Sequence, residues 1–373
     1  MNFLEILTYT AIIAFSLRGI IFAIGSYRER QNTNHNTNEI FPSVSVVVPA
    51  RNEQTNIKNC IHSIFNNKYP QDKFEIIAVN DRSTDDTLEI LEKLKEEIPN
   101  LKIVDIKSEV DKDNLQGKPG ALQAGINIAQ GDIIFMTDAD CVVDEKWIRT
   151  IVSQYTSEDI GLVASFTNVT GNKIFDRIQA IEWTYLHTMA SAGIGLNQPL
   201  GCYGNNLSIR KKVFDQIGGY KKIKFSVTED LALLQTVHRA GYKIHYLIHE
   251  NADVDTYACS TVGEYLKQRH RWAVGGLDLG WRAAIFIISS AFLILGIISS
   301  IILWNPLDLA LIVLTRIFWD YLLIGSSFNI LHKKELKKWI PLAVLFFIIE
   351  EVIVPFLILK PKVKWKGQTF KRI

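Results

Sequence analysis

An alternating α/β fold with a mostly parallel sheet, carried between membrane helices, is the class this sequence predicts. Three observations predict it. Strand-like and helix-like runs alternate from Ser43 onward, the pattern of a sheet covered by helices on both faces. Polar clusters follow several of the strand-like runs, where open α/β sheets bind ligands. Hydrophobic residues make up 48% of the 373-residue chain, and they concentrate at its two ends.

The N-terminal run Phe3 to Ile24 is apolar apart from Glu5, Arg18 and small polar residues. At ~1.5 Å per residue it is long enough for a hydrocarbon core of ~30 Å. It lacks a basic start and a small-x-small cleavage site, so an uncleaved anchor over residues 1–27 is expected rather than a leader peptide. Arg28 and Arg30 follow it and predict that its C-terminal end faces the cytoplasm. Residues 28–42, including Gln31 to Glu39, are polar and aperiodic and predict a tether.

Within 43–260 the elements come in order. Val44 to Val48 is a β-branched run, Asn56 to Phe65 has helical spacing, and Phe74 to Val79 is a second buried strand. Ser83 to Glu97 predicts a helix capped by Ser83, with Leu88, Leu91 and Leu94 inward. Leu101 to Ile106 is a third strand, Lys118 to Ala129 a helix, and Asp132 to Met136 a fourth strand. Phe175 to Met189, with Trp183, Tyr185 and His187, predicts a helix near the bilayer whose aromatics pack. Leu231 to Ala240 predicts a helix behind Thr228-Glu229-Asp230.

Residues 261–282 predict an amphipathic interfacial helix, opened by a capping box at Thr261 and Glu264. Residues 283–359 hold apolar stretches at Ala283–Trp304, Leu307–Leu331 and Trp339–Leu359. The first two predict a hairpin turning at Trp304-Asn305-Pro306. Lys333, Lys334, Lys337 and Lys338 then belong in the cytoplasm. Glu350, Glu351 and Pro355 interrupt the third stretch, which predicts a re-entrant or surface-lying helix pair. The alternative is a third span. On the first reading residues 360–373 form a basic cytoplasmic tail. Arg316 and Asp320, at i and i+4, predict an internal ion pair; a polar notch joined by Glu350 or Glu351 is the sharper alternative.

Composition excludes some functions. A formal net charge of +2 gives no electrostatic case for nucleic acid. Cys60, Cys141, Cys202 and Cys259 are scattered, with no His at ligand spacing. They predict reduced, buried thiols rather than a disulfide framework or a zinc site.

The polar clusters carry chemistry. Pro49-Ala50-Arg51-Asn52-Glu53 follows the first strand, Asn80-Asp81 the second, and Thr137-Asp138-Ala139-Asp140 the fourth. They converge on one sheet edge. Asp138 and Asp140 could hold Mg²⁺ or Mn²⁺, hard cations that neutralise a leaving diphosphate, with Asp140 the more direct ligand. Lys118, at a helix N-terminus, suits an anionic group; a solvated lysine is the plain alternative. Gln268, Arg271 and Trp272 fall at i, i+3 and i+4, hence on one helix face. That face offers an amide, a cation and an aromatic wall. Headgroup anchoring is its plain alternative.

Taken together, V-N-D-R-S-T-D at Asp81, T-D-A-D, T-E-D at Asp230 and Q-R-H-R-W at Gln268 resemble the membrane-bound family 2 glycosyltransferases. These are inverting enzymes that include ceramide and carotenoid glucosyltransferases and polysaccharide synthases. The resemblance runs from about Ser43 to Trp272 and more loosely to Trp365. It implies a GT-A nucleotide-sugar-binding domain. It implies donor contacts at Pro49, Ala50, Arg51, Glu53, Asn80, Asp81, Lys118, Asp138, Gln268, Arg271 and Trp272. Asp230 would be the general base, with Glu229 and Arg271 beside the chemistry, and Tyr203 and Asn205 would line the acceptor side. This chain departs from the usual D-D-G-S, with Asn80 for the first acid and Arg82 for the glycine. Gln123 stands where G-K-x-x-A-L-N ends in Asn.

The expected protein is an integral cell-membrane enzyme with a cytoplasmic site. It would be metal-dependent and would move a sugar from a nucleoside diphosphate sugar, expected to be UDP-linked, to a lipid or lipid-linked acceptor. A processive polysaccharide synthase of the poly-N-acetylglucosamine or hyaluronan type is the rival. A non-catalytic subunit would have lost acids that this chain keeps. The residues leave sugar, linkage and oligomeric state open.

Overall fold

The computed structural model describes residues 2–33, 41–108, 114–360, 362–365 and 368–371. Residues 34–40 of the expected tether, and part of the loop before Lys118, lie outside them. The strands are β1 (Val44–Ala50), β2 (Phe74–Asp81), β3 (Leu101–Ile106), β4 (Ile133–Met136), β5 (Val142–Val143), β6 (Ile160–Ser165), β7 (Thr167–Thr170), β8 (Leu207–Arg210), β9 (Lys243–Leu247), β10 (Val254–Tyr257), β11 (Lys362–Trp365) and β12 (Gln368–Lys371). The helices are α1 (Phe3–Asn32), α2 (Ile57–Phe65), α3 (Thr87–Glu97), α4 (Lys118–Ile128), α5 (Trp147–Val152), α6 (Ile174–Gly195), α7 (Lys211–Gln216), α8 (Gly219–Lys222), α9 (Glu229–Arg239), α10 (Val262–Gly276), α11 (Ala284–Ile302), α12 (Pro306–Ile330) and α13 (Ile340–Ile358).

Seven strands form the main sheet in the order β3-β2-β1-β4-β8-β6-β9. The first four are parallel, β8 is antiparallel to both neighbours, and β9 is parallel to β6. β1 shows no alternation of buried and exposed residues because both its faces are covered. Val44, Val46 and Val48 meet Ile57, Ile61, Leu91, Leu94 and Trp147 from α2, α3 and α5 on one face. Val47, with Ile77 and Ile134, meets Leu122, Ile126, Leu233 and Val237 from α4 and α9 on the other. A small sheet, β5-β10-β7, lies beside the ends of the main strands.

Two expected boundaries shift. α3 begins at Thr87 rather than Ser83, because the Ser83 hydroxyl instead accepts from the Asn52 N–H at 3.0 Å and ties two loops together. α1 runs past residue 27 to Asn32 because its end is docked. Glu29 is buried and accepts from the Tyr246 N–H of edge strand β9 at 2.8 Å, and Arg30 donates to Ser326 of α12 at 2.7 Å.

Among the described residues, three helical stretches are long and apolar enough to cross a membrane: Phe3–Asn32, Val262–Ile302 and Lys334–Ile358. α12 is apolar as well, and it turns from α11 at Trp304 to Pro306 with Asn305 accepting from the Asp308 N–H. Arg316 and Asp320 pair at 2.6 Å inside the bundle, and Glu351 joins Arg316 at 2.6 Å. Arg18 of α1 adds hydrogen bonds to Tyr185 and Ser289. α13 continues unbroken through Glu350, Glu351 and Pro355, so the expected helix pair is one helix. Both glutamates find arginine partners, which removes the reason to break. The segments on either side of α13 are also held. Before it, His332 meets Glu250 at 3.1 Å; after it, the Lys360 carbonyl accepts from His270 at 2.7 Å. α6 packs against α1, α12 and α13, and Tyr185 is buried among them.

Candidate active site

Strand ends and one helix face enclose a cleft of about 340 Å³. Pro49, Ala50 and Arg51 end β1, Asp81 ends β2, and Asp138 and Asp140 follow β4. Lys118 opens α4, and Asn205 precedes β8. Gln268, Arg271 and Trp272 close the cleft from α10, as their spacing requires. Glu53 completes the set and is held by Asn56 Nδ2 at 2.9 Å.

The charges interlock. Lys118 Nζ lies 2.6 Å from Asp138 Oδ1 and 3.1 Å from Glu229 Oε1. One lysine thus links the T-D-A-D and T-E-D segments. Asp81 is gripped by Arg82 Nε at 2.7 Å, with Arg51 at 3.8 Å. Arg82 has φ +55° in the position where the resembling family has glycine, and that bend turns its guanidinium back onto Asp81. Gln268 Oε1 is buried and has no hydrogen-bond partner among the described residues.

Four expected residues stand outside the cleft lining. Asn80 turns away and donates to Asp105 at 2.8 Å. Glu229 borders a smaller adjoining cavity with Val227, Arg271 and Phe370. Tyr203 packs behind the wall, its ring centroid 5.5 Å from Trp272. Asp230 lies beneath Gly204, accepting from the Gly204 and Leu231 N–H groups at 2.8 Å each. Burial, and then the charge of Glu229, push the Asp230 carboxyl up to about 6, against Lys118 and the two N–H donors.

Other lining residues had no motif to announce them. Trp183 comes from α6 and meets Trp272 at 5.1 Å; its place in an aromatic run pointed to packing more than to contact. Thr256 to Cys259 arrive through β10, whose pairing with β5 and β7 is long-range. Cys60, Cys141 and Cys202 are buried free thiols, as expected, while Cys259 is half-buried at the cleft.

Such a strand-edge cleft, roofed by a helix that leads into the membrane region, defines a membrane-associated glycosyltransferase of the GT-A type. Glycosyl transferase family 21 is the family to which the chain belongs, matching over residues 8–372. Its fold is shared by a mannosyltransferase of Pyrobaculum calidifontis, solved with GDP-Man and Mn²⁺. That likeness has a TM-score of 0.56 at 18% identity and covers 92% of this chain and 99% of that one. Among curated relatives, the beta-monoglucosyldiacylglycerol synthases of Synechocystis and Nostoc are each 28% identical, over 63% and 73% of this chain. The chain spans 48% and 56% of their respective lengths. A poly-beta-1,6-N-acetyl-D-glucosamine synthase of Staphylococcus epidermidis is also 28% identical, over 77% of this chain and 69% of its own length.

Proposed function

We propose that this chain is an inverting transferase that moves a sugar from a nucleoside diphosphate sugar, UDP-linked, to a membrane lipid or lipid-linked acceptor. The observation that carries the reading is the gathering of Asp81, Asp138, Asp140, Lys118 and the Gln268–Arg271–Trp272 face around one cleft beside apolar helices. The named glucosyldiacylglycerol synthases support a lipid acceptor.

In this mechanism Asp230 accepts the proton of the acceptor hydroxyl as its oxygen attacks the anomeric carbon. The bond from that carbon to the diphosphate oxygen breaks, the electron pair leaves with the diphosphate, and configuration inverts. Arg271 and Lys118 take up the developing negative charge. Asp230 sits beneath the floor beside Lys118, so a lysine drawn toward the diphosphate would open it to the acceptor. Among the described residues no three His, Cys, Asp or Glu side chains form a ready-made metal cluster. The donor set still fits Mg²⁺ or Mn²⁺, which take one or two carboxylates together with substrate phosphates. Asp140, with Asp138, would hold the cation, which supplies charge neutralisation to the leaving group. The basic residues flanking the apolar helices support a cytoplasmic cleft. Because the segments before and after it meet Glu250 and His270, α13 would lie along that membrane face rather than cross.

The test presents UDP-glucose, UDP-N-acetylglucosamine, UDP-galactose and GDP-mannose to the enzyme with total lipid extract, with and without Mn²⁺. Labelled lipid from a UDP-sugar is expected, and Asp230→Asn should lower its rate by about 10²–10⁴-fold. Long polymer would favour the synthase reading that the staphylococcal relative supports. No transfer from any donor would sink both.

A further inference from the structure

The helix that offers Gln268, Arg271 and Trp272 also carries a buried charge that this chemistry leaves unused. The Arg269 side chain is 3% exposed. Its guanidinium lies between two rings of its own helix, 4.5 Å from the centroid of Tyr265 and 4.3 Å from that of Trp272. Those residues stand at i−4 and i+3, so the helix itself builds the sandwich. The charge is answered from two other helices. Glu182 of α6 pairs with Arg269 Nη2, and Glu350 of α13 lies 3.2 Å from Nε. The Tyr265 hydroxyl donates to the second oxygen of Glu182 at 3.0 Å.

The other side of Trp272 meets the cleft wall. Its ring stands at 70° to Trp183, centroids 5.1 Å apart, and both rings line the cleft. A buried arginine is costly unless paired and hydrogen-bonded, and a lysine would keep the charge while losing the flat surface that stacks on the indole.

We propose that Arg269 is a positioning residue: clamped by Glu182 and Glu350, it holds the Trp272 indole against Trp183 and so fixes the aromatic wall of the sugar site. What that wall does rests on the proposed transferase reading; how it is held does not. The clamp also makes α13 a structural part of the proposed active site, since one of its two carboxylates is Glu350.

The two indoles are the one Trp–Trp ring contact among the described residues, and rings this close couple into an exciton couplet in far-ultraviolet circular dichroism. The full chain in lipid nanodiscs is compared with Trp272→Phe to define the couplet. Arg269→Lys and Glu350→Gln should each lose most of it while melting cooperatively, and kcat/KM should fall about ten-fold in each, the scale of a slightly misplaced binding group. Arg269→Lys combined with Trp272→Phe should fall no further than Trp272→Phe alone. If Arg269→Lys does not fold, Glu350→Gln carries the test, because it keeps the shape and removes only the charge. A wild-type couplet in the folded variants, or losses that multiply with Trp272→Phe, would overturn the clamp. A couplet lost in the variants of a protein that transfers no sugar would keep the clamp and reject the transferase reading.

Discussion

Asp230 is the residue whose environment makes the sharpest demand. A base with its carboxyl pushed up to about 6 is deprotonated above that pH and protonated below it. The expected outcome is a kcat/KM that is level above about pH 6 and drops roughly ten-fold for each pH unit beneath it. A flat profile down to pH 4.5 would remove Asp230 from the role. Lys118 acts on the same group with the opposite sign, since its charge lowers the Asp230 value. Lys118→Met should therefore move the acidic limb toward neutral pH as well as slow turnover. A limb that stays in place would mean that the lysine does not face the base. At this scale the carboxylates were legible, because D-x-D and E-D segments at strand and helix ends are short-range patterns. Asn80 was not, because its partner Asp105 belongs to the next strand and nothing in V-N-D points there. Trp183 packs as expected and lines the cleft as well, and the sequence could not separate the two: an aromatic in an apolar helix looks the same whether it faces a core or a cleft.

Among the elements, α1 and α6 cross in close contact. A β-carbon built on Gly195 would overlap the carbonyl oxygen of Gly25, and one on Gly25 would overlap that of Ala192. The two backbones touch, which is the use of small residues between helices in an apolar surrounding. Gly195→Val should push the helices apart and cost about 1–3 kcal/mol, the penalty of overpacking. Its measure is a lower melting temperature in detergent, with the Glu29 contact to β9 lost as faster hydrogen exchange at Tyr246. Unchanged melting would mean that the crossing has room to spare. Helix existence was easy to read from periodicity, and helix limits were not. α3 lost its first turn to a loop–loop hydrogen bond, and α13 kept the one that its glutamates argued against. In both cases a partner distant in sequence decided the boundary.

For the whole molecule, soluble and membrane parts share side chains throughout. Glu29 caps the sheet edge, Glu350 reaches the active-site helix, and Phe370 beyond α13 stacks on Phe225 near Lys118. The segment 43–260 is therefore expected to be insoluble or molten when expressed alone, whereas the full chain extracted in mild detergent should melt cooperatively. A folded, donor-binding 43–260 fragment would show that the helices are attachments only. The first four strands were legible from β-branched runs alternating with helical ones. The mixed half was not, because β6, β8 and β9 pair across long connections and only the fold brings them together. One consequence follows from the docked end of α1. Its 30 residues measure about 45 Å, more than the ~30 Å of a hydrocarbon core. The surplus is a rigid pillar, keyed to the sheet by Glu29. With α1 across a bilayer it would set the altitude of the cleft above the lipid, so a bilayer of different thickness would change which depth of acceptor the cleft can reach.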